Sequence, residues 1–390
     1  MLPDDPIDQD TPEEHIAALV DAVTRDPRHR DRLVELLPEQ ISLYAGRGTN
    51  ATTRIRGYIL AAFERVGLPD SALPYVLEEL ESGRDAYLVA AAAKALRGLQ
   101  RPTSNIVAFL LKAIANIQYA DDAVSFDCYR PRWPMPSHTT AMEEIMKTCA
   151  WLGTLARPAL PALQALHQDR HAVSGPARAI LKTILVGPGA ADTRCCAAPA
   201  GPQAPAQPSP LAVAPTSAHR PDRAIPVALE LEDQDGRRLT FGEIFLGRPS
   251  VVVFFYTRCD NPNKCSLTIS KLARLHRARR DGGLDGRVPT AAITYDPGYD
   301  LPSRLIAYGR NRGVVFGADD RFLRTTAGLE VLGDYFELGV NFGPALVNRH
   351  RIELFVLDRD GRVAATFARL QWDVPEVLDH ARALADHPVP

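Results

Sequence analysis

Residues 187–225 divide the chain. Pro, Ala, Gly and Ser dominate them, and no apolar repeat of helical or strand period survives there. That proline density favours an extended, semi-stiff arm over a packed element. The structure must therefore be assembled from what lies before the arm and what lies after it. The 390 residues suffice for two or three domains.

Residues 11–186 read as helix throughout. In "EEHIAALVDAVTR" the apolar positions Ile16, Leu19, Val20 and Val23 share one helical face. "TTRIRGYILAAFERVG" ends at Gly67, and "DSALPYVLEELESG", "AYLVAAAAKALRGL" and "NIVAFLLKAIANI" follow. After them come "TAMEEIMKTCAWLG", "RPALPALQALHQD" and "GPARAILKTIL". Segment 61–80 aligns with 148–166. In each, a helix ends at a glycine (Gly67, Gly153), and Ala-Leu-Pro then opens the next helix, with Pro in the first turn where its missing N–H costs nothing. Helix pairs recurring at roughly 40 residues resemble HEAT-like repeats, which implies an all-α solenoid over 11–186 whose stacked repeats offer a surface to a protein partner. The long, Pro- and aromatic-rich segment 119–140 interrupts the pattern and reads as a functional or contact loop. Cys128 lies within it and Cys149 in a helix, on unlike elements with no metal-ligand spacing, so both read as packing or loop residues.

Beyond the arm the texture becomes α/β. "ALELEDQDGRRLTF" reads as two strands around Asp-Gly, and "SVVVFFYT" as a strand buried on both faces. An amphipathic helix, "SLTISKLARLHRARR", precedes a second buried strand, "VPTAAITYD". The helix "LPSRLIAYGRNRG", a hairpin "RIELFVLDRDGRVAATF" around Asp360-Gly361, and the helix "DVPEVLDHARALA" complete the chain. The order βαβαββα predicts a thioredoxin-like domain over 226–386, with a mixed sheet between helices.

Chemistry concentrates where "SVVVFF" ends. "YTRCDNPNKCS" places Cys259 in a loop and Cys265 in the first turn of the next helix, with Asn261 as N-cap and Pro262 at the first helical position. A helix N-terminus favours thiolate, and Arg258 and Lys264 would add to the effect. Two such thiolates can close as a disulfide or hold a soft metal ion. His350, just before the hairpin, can reach the same loop across the end of the sheet. Two sulfurs and one imidazole suit three-coordinate copper, Cu(I) above all; zinc accepts the same donors but usually takes a fourth.

These residues resemble the Sco/SenC family of copper-insertion and thiol-redox proteins. The runs that carry the likeness are "GRPSVVVFFYTRC", "ITYDPGYDLPSRLIAYG" with Asp296, Pro297 and Asp300, and "HRIELFVLDRDGRV". The resemblance covers about 226–385. It implies copper bound by Cys259, Cys265 and His350, with Asp296 near the site as an auxiliary acid. Five residues, Asp260 to Lys264, separate the cysteines where the family pattern has three. The vicinal pair Cys195–Cys196 in the arm is a candidate relay of metal or electrons to this loop. The family's members are usually exported and often membrane-tethered.

The net charge of −2 excludes a phosphate-backbone binder. The start, "MLPDDPIDQDTPEEH", is acidic where a secretory signal is basic and then apolar, and no run is long and apolar enough to span a membrane. The expected location on these grounds is cytoplasmic, against the family's export. Six cysteines are too few for a disulfide scaffold. No P-loop, nucleophile elbow, H-E-x-x-H or dinucleotide fingerprint occurs. The function expected is copper handling coupled to thiol redox, as a metallochaperone with its partner on the helical repeats. The alternatives are a metal-free thiol–disulfide oxidoreductase or thiol peroxidase using Cys259 and Cys265, and an interaction scaffold with an inactive thioredoxin-like domain.

Overall fold

A computed structural model describes residues 6–132, 134–169, 173–186, 223–343, 347–368 and 372–386. The chain separates into two compact units, Met1–Leu211 and Ala212–Pro390. Each has its own apolar core.

The N-terminal unit is helical: α1 (Glu13–Arg25), α2 (Arg30–Glu35), α3 (Thr49–Val66), α4 (Leu73–Ser82), α5 (Ala86–Ala95), α6 (Val107–Ile117), α7 (Ala141–Leu152), α8 (Leu160–Gln168) and α9 (Gly175–Val186). The apolar stripe of α1 is buried at Ile16, Leu19, Val20 and Val23. Its first turn is acidic and its last basic, as the helix dipole favours. Both α4 and α8 carry proline in the first turn, and α3 and α7 both stop at glycines with positive φ, Gly67 (+86°) and Gly153 (+55°). Helix α5 is capped by Asp85, whose carboxylate accepts from the Leu88 N–H at 3.0 Å. Its alanines, Ala90 to Ala93, have no exposed surface, which lets neighbouring backbones approach closely. Arg56 on α3 is fully buried between Glu39 (2.7 Å) and Glu79 (2.9 Å). Burial opposes its charge, but the two carboxylates outweigh that and push its pKa up. The 119–140 segment is tied to its own unit. Phe126 stacks on Tyr87 at 4.9 Å, Tyr129 meets Tyr58 edge-on at 5.5 Å, and the Tyr129 hydroxyl donates to Glu13.

The C-terminal unit holds β1 (Glu230–Asp233), β2 (Arg238–Thr240), α10 (Phe241–Phe245), β3 (Ser250–Phe255), α11 (Leu267–Asp281), β4 (Thr290–Thr294), α12 (Pro302–Arg310), β5 (Asp320–Thr325), α13 (Leu329–Phe336), β6 (Val340–Phe342), β7 (Val347–His350), β8 (Glu353–Leu357), β9 (Val363–Ala368) and α14 (Val374–Asp386). Seven strands form one mixed sheet in the order β2-β1-β5-β4-β3-β8-β9, and β6 and β7 form a separate hairpin. Strands β3, β4 and β5 are parallel; β8 runs antiparallel to β3.

Successive residues of β3 point to opposite faces. Phe254 meets Phe336 of α13 at 5.1 Å, whereas Phe255 meets Tyr308 of α12 at 5.4 Å. Helices therefore cover both faces, which is why β3, β4 and β8 are buried along their whole length and read as unbroken apolar runs. This is the thioredoxin-like arrangement. Strand β5, helices α10 and α13, and the β6–β7 hairpin have no counterpart in the sequence reading, which ran the second strand on to Phe241.

This topology gathers three segments at one end of the sheet. Phe255 pairs with Thr294, so the carboxyl ends of the parallel strands β3 and β4 lie side by side. Because β8 is antiparallel, with Val253 opposite Leu354, its amino end arrives at that same edge. The Cys loop leaves β3 there, and His350, at the end of β7, lies shortly before β8 begins at Glu353 there.

Candidate metal centre

Past β3 the chain is held down by a buried acid. Asp300, with no exposed surface, accepts from the Thr257 N–H at 3.0 Å and from the hydroxyls of Thr257 and Thr294. Burial pushes its pKa up, and these donors work against that rise. Cys259 follows two residues after Thr257.

After Asp260 and Asn261 the chain folds into a wide turn, Pro262–Ser266, that contains Cys265 and runs into α11. Asn261 caps it, its side chain accepting from the Asn263 N–H at 2.9 Å. Lys264 leaves helical geometry (φ −113°, ψ −107°), and this kink absorbs the extra length between the cysteines. Cys265 is completely buried and Cys259 partly so; neither is in a disulfide.

His350, 4% exposed, completes the cluster. Its Nε2 lies 3.5 Å from Cys259 Sγ and 3.5 Å from Cys265 Sγ. All three donor atoms fall within 4.8 Å of one another. Its Nδ1 sits 3.1 Å from the Arg351 carbonyl, which accepts from it, and this orients Nε2 toward the sulfurs. The rings of Tyr256 (5.3 Å) and Tyr295 (5.5 Å) flank the imidazole.

The sulfurs carry unequal charge. The Cys265 thiol hydrogen-bonds to Cys259 and, against the cost of burial, it and His350 pull the Cys259 thiol down to about 3. Burial, with the neighbouring Cys259 charge, pushes Cys265 well up. Elsewhere, burial pushes Cys149 up to about 12, and it is inert.

Arg258 does not act as the sequence suggested. Its Nε is 2.9 Å from Asp296 and its guanidinium lies over the Tyr299 ring at 4.2 Å, so its charge is compensated away from the sulfurs. Asp296 is likewise occupied with Arg258 rather than aimed at the three donors. Lys264 donates to the His350 backbone carbonyl at 2.8 Å. Cys195 and Cys196 lie outside the described residues. Sequence reasoning missed the anchoring by Asp300, the clasp by Tyr256 and Tyr295, and the reach of Lys264. Only Asp300 left a trace, as the second acid of the Asp-Pro-x-x-Asp run.

The donor set fits a small soft ion. Bonds of about 2.3 Å to sulfur and about 2.0 Å to nitrogen, opening at roughly 120°, separate donors by roughly 3.7 Å, close to the 3.5 Å seen on both S···N edges.

Residues 217–386 match the profile of the SCO1/SenC family. Over these residues the chain is similar to that family. Among solved structures, a SCO1/SenC family lipoprotein from Bacillus anthracis is 20% identical over 40% of this chain and 92% of its own, with a TM-score of 0.36. Bradyrhizobium japonicum ScoI with copper bound is 22% identical over 41% and 99%, TM-score 0.35. Yeast Sco1 with copper bound is 21% identical over 43% and 92%, TM-score 0.35. No curated protein matches the chain. The SCO1/SenC match leaves residues before 217 outside it. Among the described residues, no helix is long and apolar enough to cross a membrane.

Proposed function

We propose that the SCO1/SenC domain binds copper through Cys259, Cys265 and His350 and couples binding to the redox state of the two cysteines. The observation that carries this reading is the convergence of two sulfurs and one imidazole nitrogen, from segments far apart in sequence, on one point. Two thiolates and a neutral imidazole suit Cu(I), which accepts soft donors in low coordination.

The chain's own part in loading is a proton transfer. Its neighbours hold the Cys259 thiol low, whereas burial holds Cys265 high, so Cys265 must release its proton to solvent as the ion binds. The Arg351 carbonyl accepts from Nδ1 of His350, which turns Nε2 toward both sulfurs. Exchange with an external disulfide, which takes up the two electrons and leaves as two thiols, would close the pair as a disulfide, remove both sulfur donors and release the ion. The buried Cys265 and the flanking tyrosines keep water from most of the site. The helical unit, read as HEAT-like repeats, supplies a surface on which a recipient protein docks.

Anaerobic titration of the reduced full chain against a chromophoric Cu(I) chelator tests the reading. One equivalent should bind tightly, and Cys259→Ser, Cys265→Ser and His350→Ala should each weaken it by tenfold or more. Equal affinity in His350→Ala would contradict it. A peroxide-dependent sulfenate on Cys259 in a chain that ignores copper would instead favour a thiol peroxidase.

A further inference from the structure

We infer that Lys264 is a positioning residue for the His350 donor, fastening the loop that carries both sulfurs to the strand that carries the imidazole. The inference rests on the copper reading for its purpose and on separate geometry for its content.

His350 is the last residue of β7, which pairs with β6 in a hairpin outside the seven-stranded sheet. The pairing of Val340 with His350, and the bond from Arg351 N–H to the Gly339 carbonyl at 2.6 Å, hold it within that hairpin. A two-stranded hairpin alone has little stability in water. A link to the Cys loop therefore adds to the placement that the Tyr256 and Tyr295 rings give the imidazole.

Lys264 makes that link. It immediately precedes Cys265, and its ammonium donates to the His350 carbonyl at 2.8 Å. It is among the residues that lengthen the loop, and its non-helical backbone sits between the capped turn and α11. The residue that absorbs the longer spacing also spans the gap to the histidine strand. A charged donor on a half-buried carbonyl is the stronger class of hydrogen bond, and outer groups of this kind commonly set metal affinity by orienting a ligand.

The test uses the reduced full chain, labelled with ¹⁵N at histidine, as wild type, Lys264→Met and Lys264→Arg. Without metal, the His350 Nδ1 proton should exchange with water about tenfold faster in Lys264→Met, with Lys264→Arg restoring most of the protection. Cu(I) affinity should fall about tenfold to a hundredfold in Lys264→Met and recover in Lys264→Arg. Unchanged proton exchange in Lys264→Met overturns the inference, whatever happens to copper. A loss of affinity with an unaltered imidazole signal also overturns it, because the ammonium would then act through charge alone. If wild type binds no copper while the imidazole still answers to residue 264, the positioning stands and the copper reading falls.

Discussion

At Cys259 the Cys265 thiol and the His350 ring both stabilise the thiolate, whereas Cys265, sealed from solvent, keeps its proton. The sign of the pH dependence follows. A group whose pKa is depressed holds its charge above the depressed value and loses it only as pH falls through it. Alkylation of Cys259, read by peptide mass spectrometry on the reduced chain, should therefore be nearly flat from about pH 8 down to about pH 5, and fail only toward the acid limit. Cys265 should stay unlabelled over that range. In His350→Ala the decline at Cys259 should begin at higher pH. A rate that rises about tenfold per pH unit through neutrality, as for an ordinary thiol of pKa about 8.5, would show that the two sulfurs are not coupled.

The elements around the site are pinned by Asp300, which joins the start of the Cys loop to the end of β4. Asp300→Ala strands a backbone N–H and two hydroxyls. The expected loss is about 2–4 kcal/mol in the unfolding of the C-terminal unit, measured by denaturant titration of the reduced protein, with Asp300→Asn losing less. A change under about 0.5 kcal/mol would mean that water replaces the carboxylate. At this scale legibility followed chemistry. Strands β3, β4 and β8 were readable because both their faces are covered, which leaves an unbroken apolar run. Strand β5, "DRFLRT", was not, because its charges are satisfied by partners distant in sequence. Asp320 binds Arg279 of α11 at 2.9 Å, Arg321 binds Asp233 at 2.8 Å, and Arg324 binds Glu232 of β1. A single strand cannot announce such pairs. Nor could the short β6 and β7, which among the described residues pair with each other alone. The meeting of Cys259, Cys265 and His350 was readable from residue type and from their place near strand ends. The clasp by Tyr256 and Tyr295 and the reach of Lys264 depend on how the loop bends, which spacing alone does not reveal.

Over the whole molecule, the two cores share no residue, and the SCO1/SenC match falls on the second unit. The copper account needs only that unit to hold the ion, whatever the helical unit contributes. It stands or falls on the ligand count. X-ray absorption at the copper edge, on the anaerobic Cu(I)-loaded full chain, measures that count directly. Two sulfur neighbours and one imidazole nitrogen are predicted, with the nitrogen vanishing in His350→Ala and one sulfur in Cys265→Ser. A spectrum without the nitrogen in wild type, or one that keeps it in His350→Ala, would contradict the account.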